Sequence, residues 1–178
     1  MRSIVITLLF FATSALVNAQ SISFSKMDKS PLDVVLHRND QNEAVARVIY
    51  SRPSKRNRKI FGDLVPYDQV WRTGANEATE IDFFKPVQIN NQLVPAGSYS
   101  IYTIPGKDKW TFILNSKTLQ WGNEYDEKFN ILEVQTETVS APQTIEEFSI
   151  SFIEMEDRIL LFMGWEDTMT YLPFSESF

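Results

Sequence analysis

Gly97–Asn115 reads GSYSIYTIPGKDKWTFILN. Tyr99, Ile101 and Thr103 alternate with Ser100, Tyr102 and Ile104. A period of two sends successive side chains to opposite faces of a strand. Gly106-Lys107-Asp108-Lys109 follows Pro105 as a turn, and Trp110–Asn115 (WTFILN) returns as a second run of β-branched and aromatic residues. The stretch predicts two antiparallel strands joined by a short connection.

The same pattern extends in both directions. Val45–Ser51 (VARVIYS) reads as a strand, and Ala78–Phe84 places Thr79, Ile81 and Phe83 on one face. Val87–Val94 reads as a hairpin turning at Asn90-Asn91. Phe148, Ile150 and Phe152 alternate with Ser149, Ser151 and Ile153. Met155-Glu156-Asp157-Arg158 turns the chain into Ile159–Trp165, and Glu166-Asp167 turns it again into Thr168–Phe174. Helix signals are confined to single turns at Pro66–Val70 and Glu124–Phe129. Short strands at regular spacing predict an all-β fold: a single antiparallel β-sandwich of jelly-roll type with one long ordered loop.

Arg2, the apolar run Ile4–Ala12 and the small-residue site Val17-Asn18-Ala19 have the layout of a secretory signal peptide. The expected cut after Ala19 removes 19 of 178 residues and leaves 159, the size of one domain. The expected organisation is a signal peptide over 1–19, an N-terminal lead over 20–31 and the β domain over 32–175. The chain has no cysteine. An exported protein without disulfides fits a bacterial envelope, so the expected location is periplasmic or extracellular. With 17 basic and 23 acidic residues the net charge is −6. That balance argues against nucleic acid as a partner, because such binding rests on neutralising phosphates. No membrane insertion is expected once the leading segment is removed. The oligomeric state is open.

The densest chemistry lies in Tyr50–Glu80, YSRPSKRNRKIFGDLVPYDQVWRTGANEATE. A loop this long inside a domain is functional or disordered, and this one is too aromatic for disorder. Arg52 and Arg72, beside Pro53 and Trp71, offer planar donor forks suited to carboxylate or phosphate. Either could instead pin the loop by pairing with Asp63, Glu77 or Asp82. Lys55, Arg56, Arg58 and Lys59 read as a solvated basic stretch, or as an anion-steering patch beside a pocket. Asn76 supplies both a donor and acceptors. Among the tryptophans, Trp110 and Trp165 fall within strand patterns and belong to the core, whereas Trp71 and Trp121 sit in loops near Gly74 and Gly122. The candidate ligand-binding set is therefore Arg52, Trp71, Arg72, Asn76, Glu77 and Trp121, polar groups converging among aromatic walls.

Three motif blocks, YSRP (50–53), RKIFGDLVPY (58–67) and VWRTGANEAT (70–79), resemble DUF2911, a family of uncharacterised secreted bacterial proteins common in Bacteroidota. PAGSYS (95–100), TIPGKDKWT (103–111), Asn115 and QWG (120–122) extend the resemblance from about Ser30 to Phe174. It implies a β-rich envelope or secreted domain that emphasises these same polar and aromatic positions, and it brings no established activity. The chain departs from the family at Arg56-Asn57, near a point where members often carry glycine.

The leading expectation is a domain that binds a small polar or anionic ligand, a glycan among the candidates, through a pocket shared by Arg52 and Arg72. A hydrolase would use Glu77 and Glu80 as paired carboxylates, but a three-residue offset on a strand puts them on opposite faces. Only a turn at Asn76–Ala78 would bring them together. A structural or assembly role would need an exposed β edge. His37 alone cannot build a multi-histidine metal site, no dinucleotide or phosphate-loop motif is present, and no cofactor is expected. His37 is most simply a strand or edge residue.

Overall fold

A computed structural model describes residues 22–177; the leading segment 1–19 lies outside them. Nine strands run in the order β1 (Leu32–Arg38), β2 (Ala44–Ser51), β3 (Thr79–Phe83), β4 (Val87–Ile89), β5 (Gln92–Val94), β6 (Gly97–Pro105), β7 (Lys109–Asn115), β8 (Asn130–Met155) and β9 (Arg158–Glu176). Every pairing is antiparallel, in the spatial order β1-β2-β3-β6-β7-β8-β9-β4-β5. The fold is all-β as expected. Its two facing layers are continuous within one hydrogen-bonded sheet that is not closed into a barrel.

β-Bulges fold the sheet over. The β8–β9 register shifts between Ser140 and Ile145 and again between Ile145 and Ser149. An extra unpaired residue bends a strand and increases its twist, and Pro142, which has no N–H to donate, sits inside that irregular stretch. Glu166, expected in a turn, instead stays within β9 opposite Ile145 with φ 55°. The bend brings the layers face to face. Tyr50 of β2 meets Phe148 of β8 edge-on with ring centroids 5.8 Å apart, and Phe83 of β3 meets Phe174 of β9 at 5.5 Å. Val48, Ile81, Ile101, Phe112, Leu161 and Met163 fill the space between.

The predicted hairpins are present. β6 and β7 pair from Ser100–Asn115 to Pro105–Trp110. Asn90 and Asn91 both adopt left-handed φ, 48° and 62°, as a two-residue hairpin turn demands. Glu127–Phe129 forms a single 3-10 turn capped by the Asp126 side chain. Pro66–Val70 holds turns rather than helix, with Asp68 at φ 58°. His37 lies in edge strand β1. That edge pairs only with β2 among the described residues, and it carries Asp33 and Arg38.

Residues 52–78 form the long ordered loop, and backbone bonds clamp it to both layers. Lys55 N donates to Glu146 O, and Phe148 N donates to Pro53 O, which ties the loop to β8. Trp71 and Thr103 exchange bonds of 2.7 and 3.0 Å, which ties it to β6. The loop therefore caps one end of the folded sheet.

Candidate functional site

The cap encloses a hollow of about 540 Å³, lined by Lys29, Ser30, Pro53, Ser54, Arg56, Arg58, Leu64, Val65, Val70, Trp71, Arg72, Gly74, Ala75, Asn76, Gly122, Asn123 and Trp165. That volume suits a small ligand. Its floor is aromatic. Trp71 and Trp165 stack at 6.0 Å with a 16° interplanar angle, and Trp71 meets Phe148 edge-on at 5.1 Å. Four cationic side chains line the walls, and no aspartate or glutamate does. Cations over a low-dielectric floor focus positive potential even on a chain of net negative charge.

Arg72 is the pivotal group. Its Nε is buried and has no hydrogen-bond partner among the described residues. Its stem crosses Gly122 so closely that a methyl group there would lie 2.3 Å from Arg72 Cδ and 2.8 Å from both Arg72 Cβ and Asn76 O. Gly122 is thus a seat that fixes the arginine. The next residue, Thr73, is fully buried at φ 57°. A β-branched side chain in the left-handed region is costly, about 1–3 kcal/mol. Thr73 is held there by a 3.0 Å hydroxyl bond with Thr103 and by Thr79 Oγ1, which donates to Thr73 O at 2.6 Å. Strain of this kind gathers at sites where one geometry must be kept.

Arg56 and Arg58 form the rim. Arg56 Nη2 donates to Lys29 O, and Arg58 donates to Lys55 O and Ser54 O. These bonds to carbonyls orient the guanidinium groups without neutralising them. Arg56 and Asn57 take φ of 51° and 59°. They adopt the left-handed backbone that glycine favours, at the point where the chain departs from the DUF2911 pattern.

The structure divides the predicted set. Trp71, Arg72 and Asn76 line the hollow together. Arg52 does not. Its Nε donates to Phe148 O at 3.2 Å, its Nη1 to Asp33 at 3.0 Å and its Nη2 to Ser149 at 2.7 Å. Arg52 therefore ties the loop to β1 and β8, and the expected pocket shared by Arg52 and Arg72 is corrected. The carboxylate that consumes it, Asp33, belongs to a strand missed in the sequence. Asp82, one of the expected partners, is bound by Arg47 at 2.7 Å instead. Trp121 is half-exposed and pairs through its backbone with Glu77, outside the hollow. Glu77 lines an adjacent hollow together with Glu80. Both carboxylate residues border one depression, so the three-residue offset does not keep them apart as expected. Glu80 Oε1 already accepts the Leu119 N–H at 2.5 Å.

The candidate set left out Lys29, Gly122 and Trp165. Lys29 belongs to the lead segment, and Trp165 is both a core residue and part of the floor. The Q-W-G block signalled Gly122, but only the packed Arg72 stem gives it a role. Among titrating groups near the cap, the Asp28 carboxyl is held below its usual range, first by the Ser30 N–H and then by the Asn76 amide.

No curated protein matches the chain, and no solved structure does. A family model described as "Protein of unknown function (DUF2911)" matches residues 30–174, which spans the sheet up to the last two residues of β9, the capping loop and every residue of the hollow except Lys29. The chain belongs to the DUF2911 family.

Proposed function

We propose that this is an exported binding domain whose capped hollow takes a small anionic ligand, through carboxylate or phosphate groups, with Arg72 as the central contact. The observation that carries this reading is Arg72, which lines a hollow with four cationic side chains and no acid and whose buried Nε has no partner among the described residues. An unpartnered buried donor costs about 1–3 kcal/mol, and an anion accepting from it would remove that cost. Arg56 and Arg58 supply further donors at the rim, and the tryptophan floor accommodates the flat or apolar part of a ligand. Export rests on the signal layout of residues 1–19 and the absence of cysteine.

A thermal-shift panel of citrate, pyrophosphate, nucleotides and neutral sugars tests the reading. An anion at 100 times its Kd stabilises by about 2.7 kcal/mol. At about 2–4 °C per kcal/mol for a domain of this size, that raises Tm by about 5–11 °C. Anions are expected to produce this shift in the native chain and not in Arg72→Ala, while neutral sugars leave Tm unchanged. A panel in which no anion moves Tm, or in which the shift persists without Arg72, contradicts the reading.

A further inference from the structure

Beside the cationic hollow lies a second one of opposite character, about 490 Å³ in volume. Asp28, Glu77 and Glu80 line it, with apolar wall from Leu32, Ile49 and Leu119 and, among the described residues, no lysine or arginine. The two hollows share a wall, since Ser30 and Asn76 line both. Consecutive residues of the lead face different ways, Lys29 to the cationic side and Asp28 to the acidic side. Asn76 Nδ2 donates to Asp28 Oδ1 at 3.2 Å, which fastens the lead to the cap along that shared wall.

An independent feature of the acidic hollow points to an occupant. Gln120 lines it and is only 6% exposed. Its Nε2 donates to the Tyr102 hydroxyl at 2.8 Å, and its Oε1 has no partner among the described residues. Turning the amide over exchanges the two atoms and still leaves one of them unbonded. Native proteins leave few buried polar atoms unsatisfied, and such atoms concentrate where a ligand completes the set. Each of the two adjoining hollows is thus lined by a side chain with one buried polar atom that has no partner among the described residues, Arg72 Nε in the first and Gln120 Oε1 in the second.

We propose that the paired hollows take a single zwitterionic ligand of the short-peptide class, its carboxylate at Arg72 and its ammonium group at Glu77 and Glu80. This rests on the anion-binding reading above and adds the opposite end of the ligand. The Gln120 amide bonds the peptide backbone, and the Leu32, Ile49 and Leu119 wall takes an apolar side chain.

Calorimetric titration of the folded domain with alanine peptides of two to five residues, each with a free or an acetylated amino terminus, tests it. The free peptides should bind at least tenfold more tightly than their acetylated forms. Glu77→Gln combined with Glu80→Gln should erase that difference without weakening the acetylated peptides, and near-ultraviolet circular dichroism checks that the variant is folded. Equal binding of free and acetylated peptides overturns the zwitterion inference and leaves the anion reading standing. So does the case in which no peptide binds but citrate or pyrophosphate binds in an Arg72-dependent way. If neither the peptides nor those anions bind, both readings fall.

Discussion

Replacing each of two arginines by alanine separates scaffold from site. Arg52→Ala removes two hydrogen bonds to the second layer, to Phe148 O and to Ser149 Oγ, each contributing about 1 kcal/mol. It also removes the Asp33 ion pair, whose side chains are 35% and 36% exposed and which therefore adds about 0–1 kcal/mol. The sum is about 2–3 kcal/mol. At about 2–4 °C per kcal/mol, Tm should fall by about 4–12 °C. Arg72→Ala loses no side-chain hydrogen bond among the described residues and relieves a buried donor without a partner there, so the loss is the stem's packing, on Gly122 above all. Its cost should stay below about 1 kcal/mol, a shift of less than about 4 °C. Urea unfolding of the two variants, followed by tryptophan fluorescence, measures both. If Arg72→Ala is destabilised as much as Arg52→Ala, Arg72 is a structural tie and the assignment of the hollow is refuted.

Gly122→Ala would place a methyl group against the Arg72 stem and Asn76 O. It should weaken anion binding at least tenfold in calorimetric titration while costing about 1–3 kcal/mol of stability. Tyr50→Phe strands the buried Ile150 N–H, which donates to the Tyr50 hydroxyl at 3.0 Å; a loss of about 1–3 kcal/mol should appear as a lower urea midpoint. Burial raises the Tyr50 and Tyr102 hydroxyls above the usual 10.0. A raised folded pKa means that this contribution to stability is complete below pH 10 and is lost as pH climbs through the raised value. Urea midpoints measured from pH 9 upward should fall accordingly, and Tyr50→Phe should flatten the decline.

The sheet was legible where one face is buried and the other is wet, because alternation then survives in the residue types. β6, β7 and the Asn90-Asn91 turn follow from Gly97–Asn115 and its neighbours for that reason. β1 was not read as a strand, because its outward residues Leu32, Val34 and Leu36 are exposed and erase the contrast. The first half of β8 was missed because its apolar alternation is short: Leu132 and Val134 are buried, but Thr136, Thr138 and Ser140 follow on the same face, and Pro142 breaks the pattern at the bulge. Losing β1 had a consequence for the site. Asp33 was not available as a partner, so Arg52 was left looking free. That Trp71, Arg72 and Asn76 border one hollow was legible because a single dense run carries all three. The rim and the opposite lead come together only through the bonds that clamp the cap.

The measurement that reaches the central claim most directly is the side-chain Nε–Hε signal of Arg72 in a proton–nitrogen correlation spectrum, assigned by its disappearance in Arg72→Lys. On titration with citrate or pyrophosphate this signal should shift and its exchange with water should slow, while the Arg52 signal, already committed to Phe148 O, stays in place. An Arg72 signal indifferent to every anion, or one that moves only together with Arg52, would contradict the account.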